Sequence, residues 1–276
     1  MVKIAMTIAG SDSGGGAGIQ ADLKTFQELG TFGTSAITAI TAQNTLGVHG
    51  VQPIDIDMIE SQIDAVMTDL RPDAVKTGML FSAEIIQIVA EKFKQYNVQN
   101  IVIDPVMIAK GGASLLQQEA VDALKKELVP LATIITPNIP EAEVLANMEI
   151  VTEDDIAAAA ERILALGAKG VWMKGGHSKD PEFAKDFVFL QDGTSFSMTS
   201  KRIDTDNTHG TGCTSSAAVT ASLAKGMSLK DALIVGKSFI QAAIEEDLQL
   251  GSGHGPTNHG AYRYVQDRME KEIHVE

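Results

Sequence analysis

One cysteine in 276 residues leaves no partner for an intrachain disulfide and removes every metal site built on paired thiolates. The sequence has no H-E-x-x-H pair either, so catalytic zinc has no support. No apolar run approaches the roughly 18 residues of a membrane-spanning helix. The first apolar stretch, Ile4 to Ala9, stops at Ser11-Asp12-Ser13 and is too short for a secretory leader. A cytoplasmic location is the expectation. Aromatic residues make up only 5%, too few for a base-stacking platform, and a formal net charge of −14 opposes nonspecific binding to nucleic acid or an anionic membrane. Neither is expected as a partner.

Two nucleotide signatures are also missing. There is no G-x-x-x-x-G-K-[ST] phosphate loop. Gly16-Ala17-Gly18-Ile19-Gln20-Ala21 fits the loose dinucleotide pattern, yet no Asp or Glu lies between Glu28 and Asp55 to hold a ribose. A Rossmann dehydrogenase is disfavoured.

What is present is an alternation of short apolar runs with longer helical patterns. Strands are expected at Ile4–Ala9, Ala36–Thr41, Ala74–Thr77, Ile101–Asp104, Thr133–Thr136, Val171–Lys174 and Phe187–Leu190. Helices are expected at Ile19–Leu29, Met58–Leu70, Ala83–Tyr96, Leu115–Leu128 and Thr152–Leu166. Asp192-Gly193-Thr194 reads as a hairpin turn into Ser195–Thr199, and three more helices follow at Gly212–Ala224, Leu229–Asp247 and Ala261–Lys271. Apolar strands separated by helices indicate a mostly parallel sheet covered on both faces. One α/β domain over residues 1–276 is expected.

In such a sheet, ligands bind beyond the carboxyl ends of the strands. The tails there are chemically unusual. They read Gly10 to Gly18, Gln43-Asn44-Thr45, Lys76-Thr77-Gly78-Met79, Asp104-Pro105-Val106-Met107, Thr136-Pro137-Asn138 with Glu141 soon after, and Lys174-Gly175-Gly176-His177. Six such tails point to one shared cleft. Thr208-His209-Gly210-Thr211-Gly212-Cys213-Thr214, running into small residues, reads as a glycine-flanked helix start. The unpartnered N–H groups and dipole of such a start attract anions. That field should favour a Cys213 thiolate.

Phosphoryl transfer needs cations on the phosphates, an activated oxygen nucleophile and donors for the moving group. Lys174 can supply the fixed charge, and the Gly210–Cys213 backbone can receive the phosphoryl group. Asp104, Asn138 and Glu141 can hold Mg²⁺ through oxygen atoms or water. Taken singly, Glu141 reads equally well as helix first-turn charge and Lys174 as a solvated strand end.

These stretches, with Thr7 to Asp12, Gly15 to Thr25, Ala42 to Thr45 and Met173 to His177, resemble the hydroxymethylpyrimidine/phosphomethylpyrimidine kinases of thiamine biosynthesis from about residue 4 to about residue 260. The resemblance implies a ribokinase-like three-layer α/β/α sandwich, ATP as co-substrate with Mg²⁺, and a homodimer. It implies that Gly10, Ala17, Asp22, Gln43, Met79, Val106 and Cys213 line a pyrimidine pocket. It assigns Asn138, Lys174, Thr208, Gly210, Thr211 and Gly212 to ATP, Asp104 and Glu141 to the metal, and Cys213, Lys174, Gly210 and Gly212 to catalysis. Many ribokinase-like relatives carry an Asp base where this chain has Cys213, so the thiol stands either as general base or as pocket wall. Pyridoxal/pyridoxine kinase, from the same subfamily, is the alternative activity.

Overall fold

Strand β1 (Ile4–Asp12) is buried along nearly its whole length, and this places it inside the sheet rather than at an edge. The fold is that of a computed structural model describing residues 1–107, 117–175 and 180–276. β1 pairs in parallel with β2 (Phe32–Asn44) on one side and with β4 (Ala74–Thr77) on the other. Beyond β4 come β5 (Ile101–Ile103), β6 (Ile134–Ile135) and β7 (Gly170–Met173), all parallel. Antiparallel strands finish both edges. β3 (Gly47–Pro53) closes one; β8 (Phe183–Leu190), β9 (Ser195–Lys201) and β10 (His274–Val275) close the other. Among the described residues, the strand order across the sheet is β10-β9-β8-β7-β6-β5-β4-β1-β2-β3.

Alternate strand residues divide between two cores, as a period of two demands. Met6, Ile8, Val75, Ile101, Ile103, Ile135, Val171 and Met173 face one core; Ala5, Ala74, Val102, Ile134 and Trp172 face the other. The first is covered by α2 (Ile56–Asp69), α3 (Ala83–Gln95), α4 (Gln118–Ala123), α5 (Ile139–Ala146) and α6 (Glu153–Ala165). The second is covered by α1 (Gly18–Glu28), α7 (Thr211–Ala224) and α8 (Leu229–Glu245), with α9 (Tyr262–Glu272) packed on α8. The result is a three-layer α/β/α sandwich.

Helix α7 is buried from Thr214 to Ala224, and its small residues let it lie close to the sheet between α1 and α8. Thr220 Oγ1 and Ser222 Oγ donate to the carbonyls of Ser216 and Ala218, so their hydroxyls are satisfied inside the core. That close seat carries the start of α7 to the strand ends.

Several elements depart from expectation. β2 begins at Phe32, and β3 carries two glycines and a terminal proline, so its own β preference is weak; pairing with β2, Ala42 opposite Gly50, creates it. α5 is a helix after Asn138 that the apolar pattern did not single out, because it spans only eight residues. The helix expected from Leu115 is described from Gln118. It loosens over Leu124–Leu128 and ends in a tight turn at Val129–Leu131 that contains Pro130. Leu115 and Leu116 lie outside the described residues, as do Gly176 and His177. Among the described residues, no helix is long and apolar enough to cross a membrane.

Candidate active site

The ends of all six mutually parallel strands open onto one cavity of about 600 Å³. Gly10 and Asp12 enter from β1, Gln43 from β2, Met79 after β4, Asp104 and Val106 after β5, Asn138 and Glu141 after β6, and Lys174 after β7. Thr208, Gly210, Thr211, Gly212 and Cys213 close it from the start of α7.

Gly210 caps α7 with φ 85°, a left-handed conformation that favours glycine, and a side chain there would overlap the Gly16 carbonyl oxygen. No side chain caps this helix, so its first N–H groups and dipole face the cavity. Gly212 brings the backbone close to the charged pair. A Cβ there would lie 3.3 Å from Lys174 Nζ and 3.4 Å from an Asp104 carboxylate oxygen.

Lys174 Nζ lies 3.1 Å from Asp104 Oδ1, and both are largely buried. Burial works against the ammonium charge, but Asp104 and Glu141 outweigh it and raise the Lys174 pKa. The backbone is fixed as well. Lys174 N–H donates to the Pro137 carbonyl, and Gly175 N–H donates to Asp186, which also accepts from Trp172 Nε1 and Lys237 Nζ. Asn138 and Glu141 form a reciprocal capping box at the start of α5, each side chain accepting from the other's backbone N–H at 2.9 Å.

Burial pushes the Glu141 carboxyl up to about 7; Lys174 opposes this and Asp104 adds to it. A cation bound here would relieve the repulsion between Glu141 and Asp104 that helps to hold the Glu141 proton. Among the described residues no group of three or more His, Cys, Asp or Glu could hold a metal. Asp104 and Glu141 would fit an ion such as Mg²⁺ only with water and phosphate completing its shell.

Two expectations are corrected. Asp22 does not line the cavity: it is fully buried beneath it, accepting from Lys76 Nζ and Thr7 Oγ1, each at 2.6 Å. The pairing of a buried carboxylate with a buried ammonium draws it into the core. The Cys213 thiol is pushed up to about 12 rather than down, because burial outweighs the Lys76 charge, and Asp22 and Asp104 oppose a second anion. The remaining pocket residues, Gly10, Ala17, Gln43, Met79, Val106 and Cys213, do meet in the cavity.

Sequence reasoning passed over Asp12 and His209 as site residues. Asp12 accepts from the N–H groups of Gly14, Gly16 and Ala17 and lies 2.8 Å from His209 Nε2. Burial raises the Asp12 pKa, but His209 and these N–H groups together outweigh it and lower it. An Asp two residues before Gly in a glycine-rich turn was the available signal.

A family model described as phosphomethylpyrimidine kinase matches residues 12–258. A hydroxymethylpyrimidine/phosphomethylpyrimidine kinase of Bacillus subtilis is 56% identical over 260 residues, 94% of this chain and 95% of that protein. The chain belongs to the phosphomethylpyrimidine kinase family. A relative of the same description from Haemophilus influenzae is also 56% identical, over 95% of this chain and 98% of its own. Among solved structures, the pyridoxal kinase from Staphylococcus aureus in complex with AMP-PCP and pyridoxal superposes with a TM-score of 0.89 at 39% identity, covering 100% of this chain and 98% of that one. The fold is thus that of small-molecule kinases.

Proposed function

We propose that this kinase transfers a phosphoryl group from ATP to the hydroxymethyl group of 4-amino-5-hydroxymethyl-2-methylpyrimidine, and then to the resulting monophosphate, in thiamine biosynthesis. The carrying observation is the convergence of an uncapped α7 start, Lys174 and Asp104 in the same cavity as Gln43. Family membership supports the same reading.

Lys174 and the Gly212 and Cys213 N–H groups hold the charge that develops on the moving phosphoryl group. Asp104 and Glu141 would hold Mg²⁺ directly or through water. Bound there, the ion supplies charge neutralisation on the phosphate oxygens. Gln43 meets the donor and acceptor edge of an aminopyrimidine. Cys213 stands beside the reacting alcohol, as base or as wall. The reading takes residues 1–276 as one kinase domain, cytoplasmic and homodimeric.

Pyridoxal phosphorylation is the second reading, favoured by the likeness to a pyridoxal-bound structure. The test is ADP release with MgATP and each alcohol, with products followed by mass spectrometry. Aminopyrimidine turnover with a pyrophosphate product is expected; a much higher kcat/KM for pyridoxal or pyridoxine would reverse the assignment.

A further inference from the structure

The start of α7 carries no side-chain cap, so what flanks it must hold its N–H groups in place. His209, one residue before the Gly210 cap, is fixed on two sides. On one side its N–H donates to the Gly255 carbonyl at 3.1 Å, and its carbonyl accepts from Thr257 N–H at 3.2 Å. On the other, His209 Nε2 lies 2.8 Å from Asp12 Oδ2. Asp12 is a carboxylate with no hydrogen to give, so the imidazole donates. The same carboxylate accepts from the N–H groups of Gly14, Gly16 and Ala17 at 2.7, 3.1 and 2.8 Å, and so closes the turn after β1. That turn borders the acceptor side of the cavity twice. Ala17 lines it, and Ser13 Oγ both donates to the Gln43 carbonyl at 2.7 Å and accepts from Gln43 N–H at 2.8 Å. The imidazole also rests on the turn: a Cβ on Gly16 would lie 2.7 Å from His209 Cδ2.

From this we infer that Asp12 and His209 are positioning residues, whose contact sets the start of α7 against the pocket that holds the acceptor alcohol. The inference rests on the phosphoryl-transfer reading above. An attacking oxygen must lie in line with the transferring phosphorus, and a misplacement of about 1 Å can cost about 10² in rate. The turn after β1 and Gln43 place the alcohol; the Gly212 and Cys213 N–H groups place the phosphoryl group. Asp12 and His209, 197 residues apart in the chain, join the two through their side chains. Without that contact each site still binds its own substrate, and their alignment is what suffers. The loss therefore belongs in kcat rather than in KM.

His209→Leu keeps bulk and removes the donor. With folding followed by thermal melting, it should lower kcat for 4-amino-5-hydroxymethyl-2-methylpyrimidine with MgATP by roughly tenfold to a hundredfold, with KM for both substrates changed by less than about threefold. His209→Gln, whose amide N–H reaches toward Asp12 as Nε2 does, should recover most of the rate. A folded His209→Leu protein with unmoved kcat overturns the inference. So does a loss carried mainly by KM for the alcohol, which would make His209 a substrate contact, or a His209→Gln protein as slow as His209→Leu. If His209→Leu does not fold, His209→Asn, whose amide stops short of Asp12, decides by the same split. An unaltered enzyme that leaves the aminopyrimidine unphosphorylated overturns the proposed substrate alone; the comparison then runs with pyridoxal, where the same split decides.

Discussion

Lys76 and Asp22 form an ion pair 2.6 Å apart with neither side chain exposed, directly under the Cys213 carbonyl at the start of α7. Burial works against the Lys76 charge, but the Asp22 carboxylate, with Cys213 and Asp104 beyond it, raises its pKa. A pair this deep adds little beyond an apolar replacement, yet removing one member strands the other charge.

Lys76→Met should therefore destabilise the protein by about 3–5 kcal/mol, and Lys76→Met combined with Asp22→Leu should recover much of that loss. Urea denaturation of the single and double variants measures the difference. Equal instability in both would mean that packing, not the stranded carboxylate, sets the cost.

The Cys213 thiol, raised by burial from 9.0 to about 12, gives a pH-dependent contribution to stability. A group whose folded pKa is raised contributes fully below its unfolded value, and the contribution is lost as pH rises through the folded one. The unfolding free energy should thus fall between about pH 9 and pH 12 more steeply than in Cys213→Ser. Iodoacetamide should alkylate the unliganded protein slowly at pH 8, because the thiolate is scarce. Rapid alkylation there would show that the field at the start of α7 outweighs burial.

Much of the site was legible in the sequence because strand ends in a parallel sheet must converge on one edge. The polar tails after β1, β2, β4, β5, β6 and β7 could be read without knowing their strand order. Asp22 was misplaced for a physical reason: its partner Lys76 lies 54 residues away, and nothing local shows that the pair turns inward. The Cys213 expectation failed in the same way. The helix start was visible in the sequence, whereas the degree of burial and the acids packed around the thiol are properties of the folded chain. β3 was invisible because its pairing with β2, not its own residues, makes it a strand.

Lys174 carries the most direct prediction about chemistry. The Gly14, Gly16 and Ala17 N–H groups are taken by Asp12, so the turn after β1 does not offer them to a phosphate. Among the described residues, the start of α7 and Lys174, beside Gly212, are placed to meet an incoming monophosphate. A fixed cation there stabilises charge that grows as the phosphoryl group moves, so it lowers the barrier more than it tightens ground-state binding. Lys174→Ala should then lower kcat by about 10² or more with a smaller change in KM for ATP. The loss should be larger in the second transfer than in the first, because the acceptor then brings its own negative charge. Rates measured separately with the alcohol and with its monophosphate give the comparison. Equal losses in both would place the acceptor phosphate away from Lys174, and an unchanged kcat in a folded variant would remove this lysine from the chemistry.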